Sequence, residues 1–564
     1  MSHIGTGTII FYKTIVAVLL ILAVVAYSDT TFVCGNISGV WDAGGSPYCV
    51  VCDVHVPSGD TLIIMPDVKV VFMANFGFYV DSRAVLKAMG TISRPIIFTT
   101  ADTSIFHKAI NFNNSAPGCT LQYCRIDRGK KEGYKADGGG IYCYNSSPVI
   151  SNNTISGNLV AWEDYGGRGG GIYCYAASPT IINNTITGNS ATYDGSGGGI
   201  YCYGGNPTIY GNTISGNTAY DGGGIHCDGG NPTIINNTIF DNPANIGGGI
   251  YCYNNTPTIA DNTIYENSAG NGGGIYCDYC NPTISDNIIY ENWAGYYGGG
   301  IYCGDGGSII SNNSIYGNTG SSGAGIYCGE GSPTISGNTI FDNSAGGSGG
   351  GGIFCLGGYP KMIGNSIFRN TTSGSGGGIY CRYYCCSEII NNTILKNSAG
   401  SFGGGINYDK SNATLICNTI SANSADSRGG AICCEDSTNI VLFNTIIWNN
   451  TAPIGTELSI NYSLGSPCTA VIAYSDIELS KCFIQNNSKI VWVNSNVNSN
   501  PFFADTLYHL SDSSNCIDAG AESVFIAVRD SFIFAPDSDF EDDPRPRGLA
   551  KTAEAATKTR NNAK

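Results

Sequence analysis

The apolar residues of this chain fall in runs of two or three, separated by glycine, proline and asparagine, and the runs recur. Between residues 138 and 434 variants of Gly-Gly-Gly-Ile-Tyr-Cys appear twelve times. The isoleucine falls at Ile141, Ile172, Ile200, Ile225, Ile250, Ile275, Ile301, Ile326, Ile353, Ile379, Ile406 and Ile432, a first step of 31 residues and then steps of 25 to 28. Each period continues through Pro-Thr-Ile and Asn-Thr-Ile to a second asparagine. Such short alternating runs between turn residues predict brief strands. No stretch of ten or more residues carries helical spacing, which excludes helical solenoids. A period this regular means stacked copies of one unit, each burying its apolar face on the next. Two or three short strands per copy predict an all-β chain wound as a parallel β-helix of about 25–26 residues per coil. Twelve coils stacked about 4.8 Å apart span roughly 58 Å.

Stacking turns each column of the repeat into a ladder. Isoleucine and the cysteine two residues on (Cys143, Cys174, Cys202 and so to Cys434, with Tyr408 the exception) share the inner face by period-two alternation. One asparagine column runs from Asn153 to Asn444 and a second, five residues later, from Asn158 to Asn449. Asparagine tolerates the left-handed corner backbone, and its amide both donates and accepts, so the columns predict hydrogen-bonded ladders rather than glycan acceptors.

The repeats resemble those of secreted right-handed parallel β-helix proteins, the pectin-lyase-like superfamily. They are especially similar to polymorphic outer-membrane proteins, whose repeats carry Gly-Gly-Ala-Ile and Phe-x-x-Asn. The first motif stands here as Gly139-Gly140-Ile141 and its copies and once as Gly429-Gly430-Ala431-Ile432; the second has isoleucine for phenylalanine, as in Ile155-Ser156-Gly157-Asn158. The resemblance covers roughly residues 50 to 515 and implies a right-handed helix. It does not choose among enzyme, adhesin and scaffold, because the fold hosts all three.

The ends suggest a layout. Lys13 before the apolar run Ile15 to Val25, with Val24 and Ala26 as small residues ahead of a cleavage point, predicts a signal peptide over 1–26; an uncleaved anchor is the rival. Residues 27–137 read as an N-terminal cap with irregular first coils, 138–450 as the regular helix, 451–520 as last coils and C-terminal cap, and 521–564 as a polar tail. Asn500-Pro501-Phe502-Phe503, Tyr508-His509-Leu510, Cys516 to Gly520 and Asp542 to Pro546 resemble the capping module that follows such helices in bacterial surface proteins. The mature chain is expected to have no transmembrane span and no self-export barrel, and to be secreted or held at the cell surface.

Composition narrows the partners. A net charge of -16 argues against nucleic acid and anionic membranes. Charged residues are only 12% of the chain, but 42% apolar residues in register exclude disorder. Cysteines stacked about 4.8 Å apart exceed the Cβ separation of about 3.8 Å that a bridge prefers, so the ladder reads as free thiols. Cys49-x-x-Cys52 and Cys277-x-x-Cys280 read as local disulfides or unbonded, without the further ligands a zinc site needs. No cofactor is expected, and calcium has no motif.

Alternation turns the residue between isoleucine and cysteine outward: Tyr142, Tyr173, Tyr201, His226, Tyr251, Tyr276, Tyr302, Tyr327, Phe354 and Tyr380. Beside it run Tyr144, Tyr175, Tyr203, Asp228, Tyr253 and Asp278. Two aromatic columns on a flat sheet predict a binding strip for a polysaccharide, a cell-surface glycan or a surface protein; surface packing, or a cover of loops or a partner, would serve the same residues. The enzyme alternative, a polysaccharide lyase or glycoside hydrolase, needs His226, Asp228 and Asp278 outward together. The two carboxylates would then lie about 9.6 Å apart, near the upper end for an inverting pair. The loops beside them are short, which argues against a walled cleft.

Overall fold

The computed structural model describes residues 30–133, 136–162, 166–461, 466–493, 495–505, 508–517, 519–526 and 531–539. The signal-peptide expectation and the segment Asp542 to Pro546 lie outside the described residues. Within them the chain winds a right-handed parallel β-helix of about 17 turns, as the repeat predicts, and no helix is long and apolar enough to cross a membrane.

Each regular coil lays down three strands, for example Ile141–Tyr144, Val149–Ser151 and Thr154–Ser156. They pair in parallel with the next coil in exact columnar register, Ile141 on Ile172, Ile150 on Ile181 and Ile155 on Ile186. These isoleucines are wholly buried, as are Cys143 and Cys174. Apart from one pair, the described cysteines are free thiols, and those of the ladder are small core fillers between isoleucine layers. Cys277, Cys280 and Cys385 belong to the same core. The bonded pair is Cys34 with Cys52, not a local Cys49–Cys52 bridge. The first strand, Thr31–Asn36, lies parallel to Tyr48–Val56 and brings these two together, while Cys49 is buried on the face opposite the core residues Tyr48 and Val50, in register with Phe32 and Val71.

The asparagines turn the corners. The Asn184 side-chain oxygen accepts from both the backbone and the side-chain amide of Asn153, at 2.9 and 3.0 Å. The Asn184 amide in turn donates to Asn212 Oδ1 and to the Ile150 carbonyl. Leaving such groups buried and unpaired would cost about 1–3 kcal/mol each, so every coil is tied to two neighbours. In the last regular coil the ladders pass through Thr445 and Asn450 rather than Asn444 and Asn449. One extra residue in the strand Asn439–Phe443 coil shifts the register, and Asn444 and Asn449 take the left-handed corner backbone. Asn444 instead exchanges hydrogen bonds with the backbone of Ala521.

The N-terminal end is capped, and the C-terminal coils carry a hairpin on their flank. Trp41 stacks on Tyr48 at 4.4 Å over a first core of Phe72, Phe78, Phe98 and Phe112. At the other end a hairpin, Ser523–Ile526 with Ser531–Phe534, lies within the stretch read as polar tail. Its Val524 and Ile526 pack on Ile416, Val441, Phe443 and Val471, outward residues that have turned apolar there.

Candidate functional site

The face formed by Ile-Tyr-Cys-Tyr strands carries two outward columns, and the structure treats them differently. In the inner column ten rings from Tyr142 to Tyr380 follow one another at centroid spacings of 4.3 to 5.5 Å. This column was expected to face solvent, yet Tyr173 is 2%, Tyr201 3% and Tyr327 5% exposed. His226, Tyr276, Phe354 and Tyr380 are buried as well, and Tyr142, Tyr251 and Tyr302 are half-buried.

The cover is the chain itself. The residue before each triple glycine pairs with its counterpart one coil on, Arg168 with Ser196, Ser196 with Asp221, Asp221 with Ile246 and Ile246 with Asn271. The series continues through Tyr297 to Ser322 and Gly349. This fourth ladder lies over the inner column. The Arg168 guanidinium sits 5.6 Å from the Tyr201 ring, Lys131 Nζ 4.1 Å from Tyr142, and Tyr297 stacks on Tyr327 at 4.7 Å. The first glycine of each triplet lets the chain tuck in: Gly197 has φ +68°, and a Cβ there would stand 2.6 Å from the Tyr201 Cβ. Burial pushes the Tyr173, Tyr201, Tyr251 and Tyr276 phenols above their usual range.

The outer column remains open. Tyr144, Tyr203 and Tyr253 are 36%, 41% and 38% exposed and Tyr175 is half-buried. Tyr144, Tyr175 and Tyr203 stack at 5.2 and 5.3 Å with ring planes 12–14° apart. Stacking has a consequence for binding: a ring inside the column gives both faces to its neighbours, so a ligand meets edges and hydroxyls.

The candidate acid–base trio is not assembled. His226 lies between Tyr201 and Tyr251 at 4.6 and 4.3 Å, with Nδ1 3.4 Å from the Asp221 carbonyl, and desolvation lowers its pKa to about 3. It is therefore a buried neutral ring, not an outward base. Asp228 and Asp278 do share the outer column, in register on either side of Tyr253. Burial raises both carboxyls; at Asp278 the Tyr279 N–H, 3.1 Å away, and the Tyr276 hydroxyl, 3.4 Å away, donate to it and oppose the shift. Among the described residues no three His, Cys, Asp or Glu side chains converge as a metal site.

The structure shows a third aromatic column. Phe240, Tyr265, Tyr290, Tyr316, Phe341 and Phe368 follow Asn-Thr-Ile or its equivalent in six successive coils and stack at 4.8 to 5.1 Å. All are half-buried, with exposed Asp241, Glu266, Glu291 and Asp342 beside them. Their spacing of 25 to 27 residues was the available signal.

Comparison with known proteins agrees with this geometry. A model of the right handed beta helix region matches residues 54–198, 140–297 and 273–425, which together span 54 to 425. The Chlamydia polymorphic membrane protein repeat matches residues 419–435, the segment that holds Gly429-Gly430-Ala431-Ile432. No curated protein matches the chain.

Proposed function

Because this chain belongs to the right-handed β-helix family, we propose that it is an exported surface protein with a structural and adhesive role, which holds a polysaccharide or another cell-surface polymer along its outer tyrosine column. One observation carries the reading. Tyr144, Tyr175, Tyr203 and Tyr253 stand in one axial row, largely uncovered, on coils locked by asparagine ladders. A rigid row of like side chains suits a repeating partner, because each tyrosine adds contact at little entropic cost. Tyrosine hydroxyls and ring edges make the contact along the stack, and free ring faces are confined to its ends. The acidic balance makes nucleic acid an unsuitable partner.

The competing reading, a lyase or hydrolase on the same face, is weakened by His226, which is buried and held neutral. Retention of the purified chain on insoluble chitin, cellulose and peptidoglycan tests the adhesive reading, with reducing-sugar and unsaturated-product assays run alongside. Replacing Tyr144, Tyr175, Tyr203 and Tyr253 together by alanine is expected to cut retention at least tenfold in a folded protein. Undiminished retention would reject the row. Turnover lost in Asp228→Asn and Asp278→Asn would establish the enzyme instead.

A further inference from the structure

The ring stack of the outer column stops at Tyr203. After Tyr203 the next coil carries Asp228, the one after it Tyr253, and the one after that Asp278. Tyrosine reaches several ångströms farther from the backbone than aspartate. Tyr203 and Tyr253 therefore stand as two posts with a carboxylate set back between them. Two coils place the posts about 9.6 Å apart. A group centred between them lies about 4.8 Å from each ring, inside the roughly 6 Å over which a ring face holds a cation.

The surroundings fit the same chemistry. The stack with Tyr175 occupies only one face of Tyr203. Among the described residues Tyr253 meets one other ring, the exposed Tyr279, edge-on at 5.7 Å and 72°. A Cβ at Gly204 would meet nothing within 4 Å, so the turn after Tyr203 is open on its outer side. Neither Asp228 nor Asp278 is among the ion-paired carboxylates of the described residues, unlike Asp342 with Arg369; Arg168, over the Tyr201 ring, acts on Asp228 through its charge and without a direct ion pair. That pair shows the chain building the arrangement from its own residues: Arg369 grips Asp342 at 2.7 and 2.8 Å while lying 4.9 Å over the Phe368 ring. A bare divalent metal is a poorer occupant, since it requires six or more oxygens and the walls here are rings.

We propose that Tyr203, Asp228 and Tyr253 form a binding site for an alkylammonium group, the protonated or quaternary amine carried by a surface polymer. The site deepens the adhesive reading, on which it rests for the polymer but not for the cation.

Calorimetric titration of choline into the full chain at low salt tests it, against 3,3-dimethyl-1-butanol, the uncharged isostere. Choline is expected to bind one site at least tenfold more tightly than the isostere. Asp228→Asn and Tyr253→Ala should each weaken choline at least tenfold, Tyr253→Phe should hold it within threefold, and Tyr144→Ala should leave it unchanged. A glucosamine tetramer compared with its N-acetylated form asks whether a primary amine serves as well as a quaternary one; preference for the amine supports the site. Equal binding of choline and isostere, or choline binding indifferent to Asp228 and Tyr253, overturns it. Choline binding without polymer retention would sink the adhesive reading and leave the cation site standing; retention without choline binding would do the reverse.

Discussion

Tyr201 and Tyr203 are two residues apart, flank the same buried cysteine and leave the same side of the same strand, yet one is 3% and the other 41% exposed. Their rows behave alike along the molecule. The inner one is a continuous file of rings, stacked as far as Phe354 and roofed by a fourth ladder; the outer one is open and interrupted by two carboxylates. Period-two alternation tells inside from outside of the sheet. It does not tell outside from solvent, because the arc that joins one coil to the next crosses above one row and misses the other. The inner row is therefore largely a second, aromatic core, and the outer row is the more open of the two.

The comparison breaks first on stability. Tyr201→Ala should cost about 3–5 kcal/mol, as for other large buried rings, and Tyr203→Ala only about 1 kcal/mol, the worth of one exposed stack. Urea midpoints measure both, and equal losses would erase the distinction between the rows.

Acid sharpens it next. His226 has its pKa lowered from 6.5 to about 3 by burial, so it stays neutral in the folded protein while the unfolded chain takes up a proton. Its contribution is complete above pH 6.5 and is lost at about 1.4 kcal/mol per pH unit as the pH falls toward 3. His226→Phe keeps the ring stack and should remove that part of the acid destabilisation, seen as a flatter melting temperature between pH 6 and 4. An unchanged slope would mean that the histidine is solvated.

Two glycines compare the rows at the backbone. Gly197 and Gly204 both have left-handed φ, +68° and +63°. Gly204→Ala should cost about 1–2 kcal/mol for that conformation alone. At Gly197 the added methyl also meets Tyr201 under the roof, and overpacking raises the cost by about 1–3 kcal/mol. Asp228→Asn is the smallest effect, within about 0.5 kcal/mol of the parent; a larger loss would make it part of the core.

Much of this was legible in the chain. Ile141, Ile150 and Ile155 recur at one period and land in one core, and Asn153 and Asn158 head ladders that the asparagine columns foretold. The exceptions have physical causes. The roof was hidden because Arg168, Ser196, Asp221, Ile246 and Asn271 share no residue type and pair through backbone alone. Thr445 and Asn450 replaced Asn444 and Asn449 because one inserted residue moved a corner, and the composition of that stretch fits either register. Cys52 found Cys34 only through the pairing of Thr31–Asn36 with Tyr48–Val56.

The repeat by itself determined the winding, the three-sided core and the hydrogen-bonded corners, because each depends on a residue meeting its own copy one coil away. Tertiary structure alone decided which outward rings are covered, where His226 resides and which carboxylates stand beside free ring faces. Those outcomes depend on unlike residues from the arc between coils, whose contacts follow from the path of the backbone and leave no period to read.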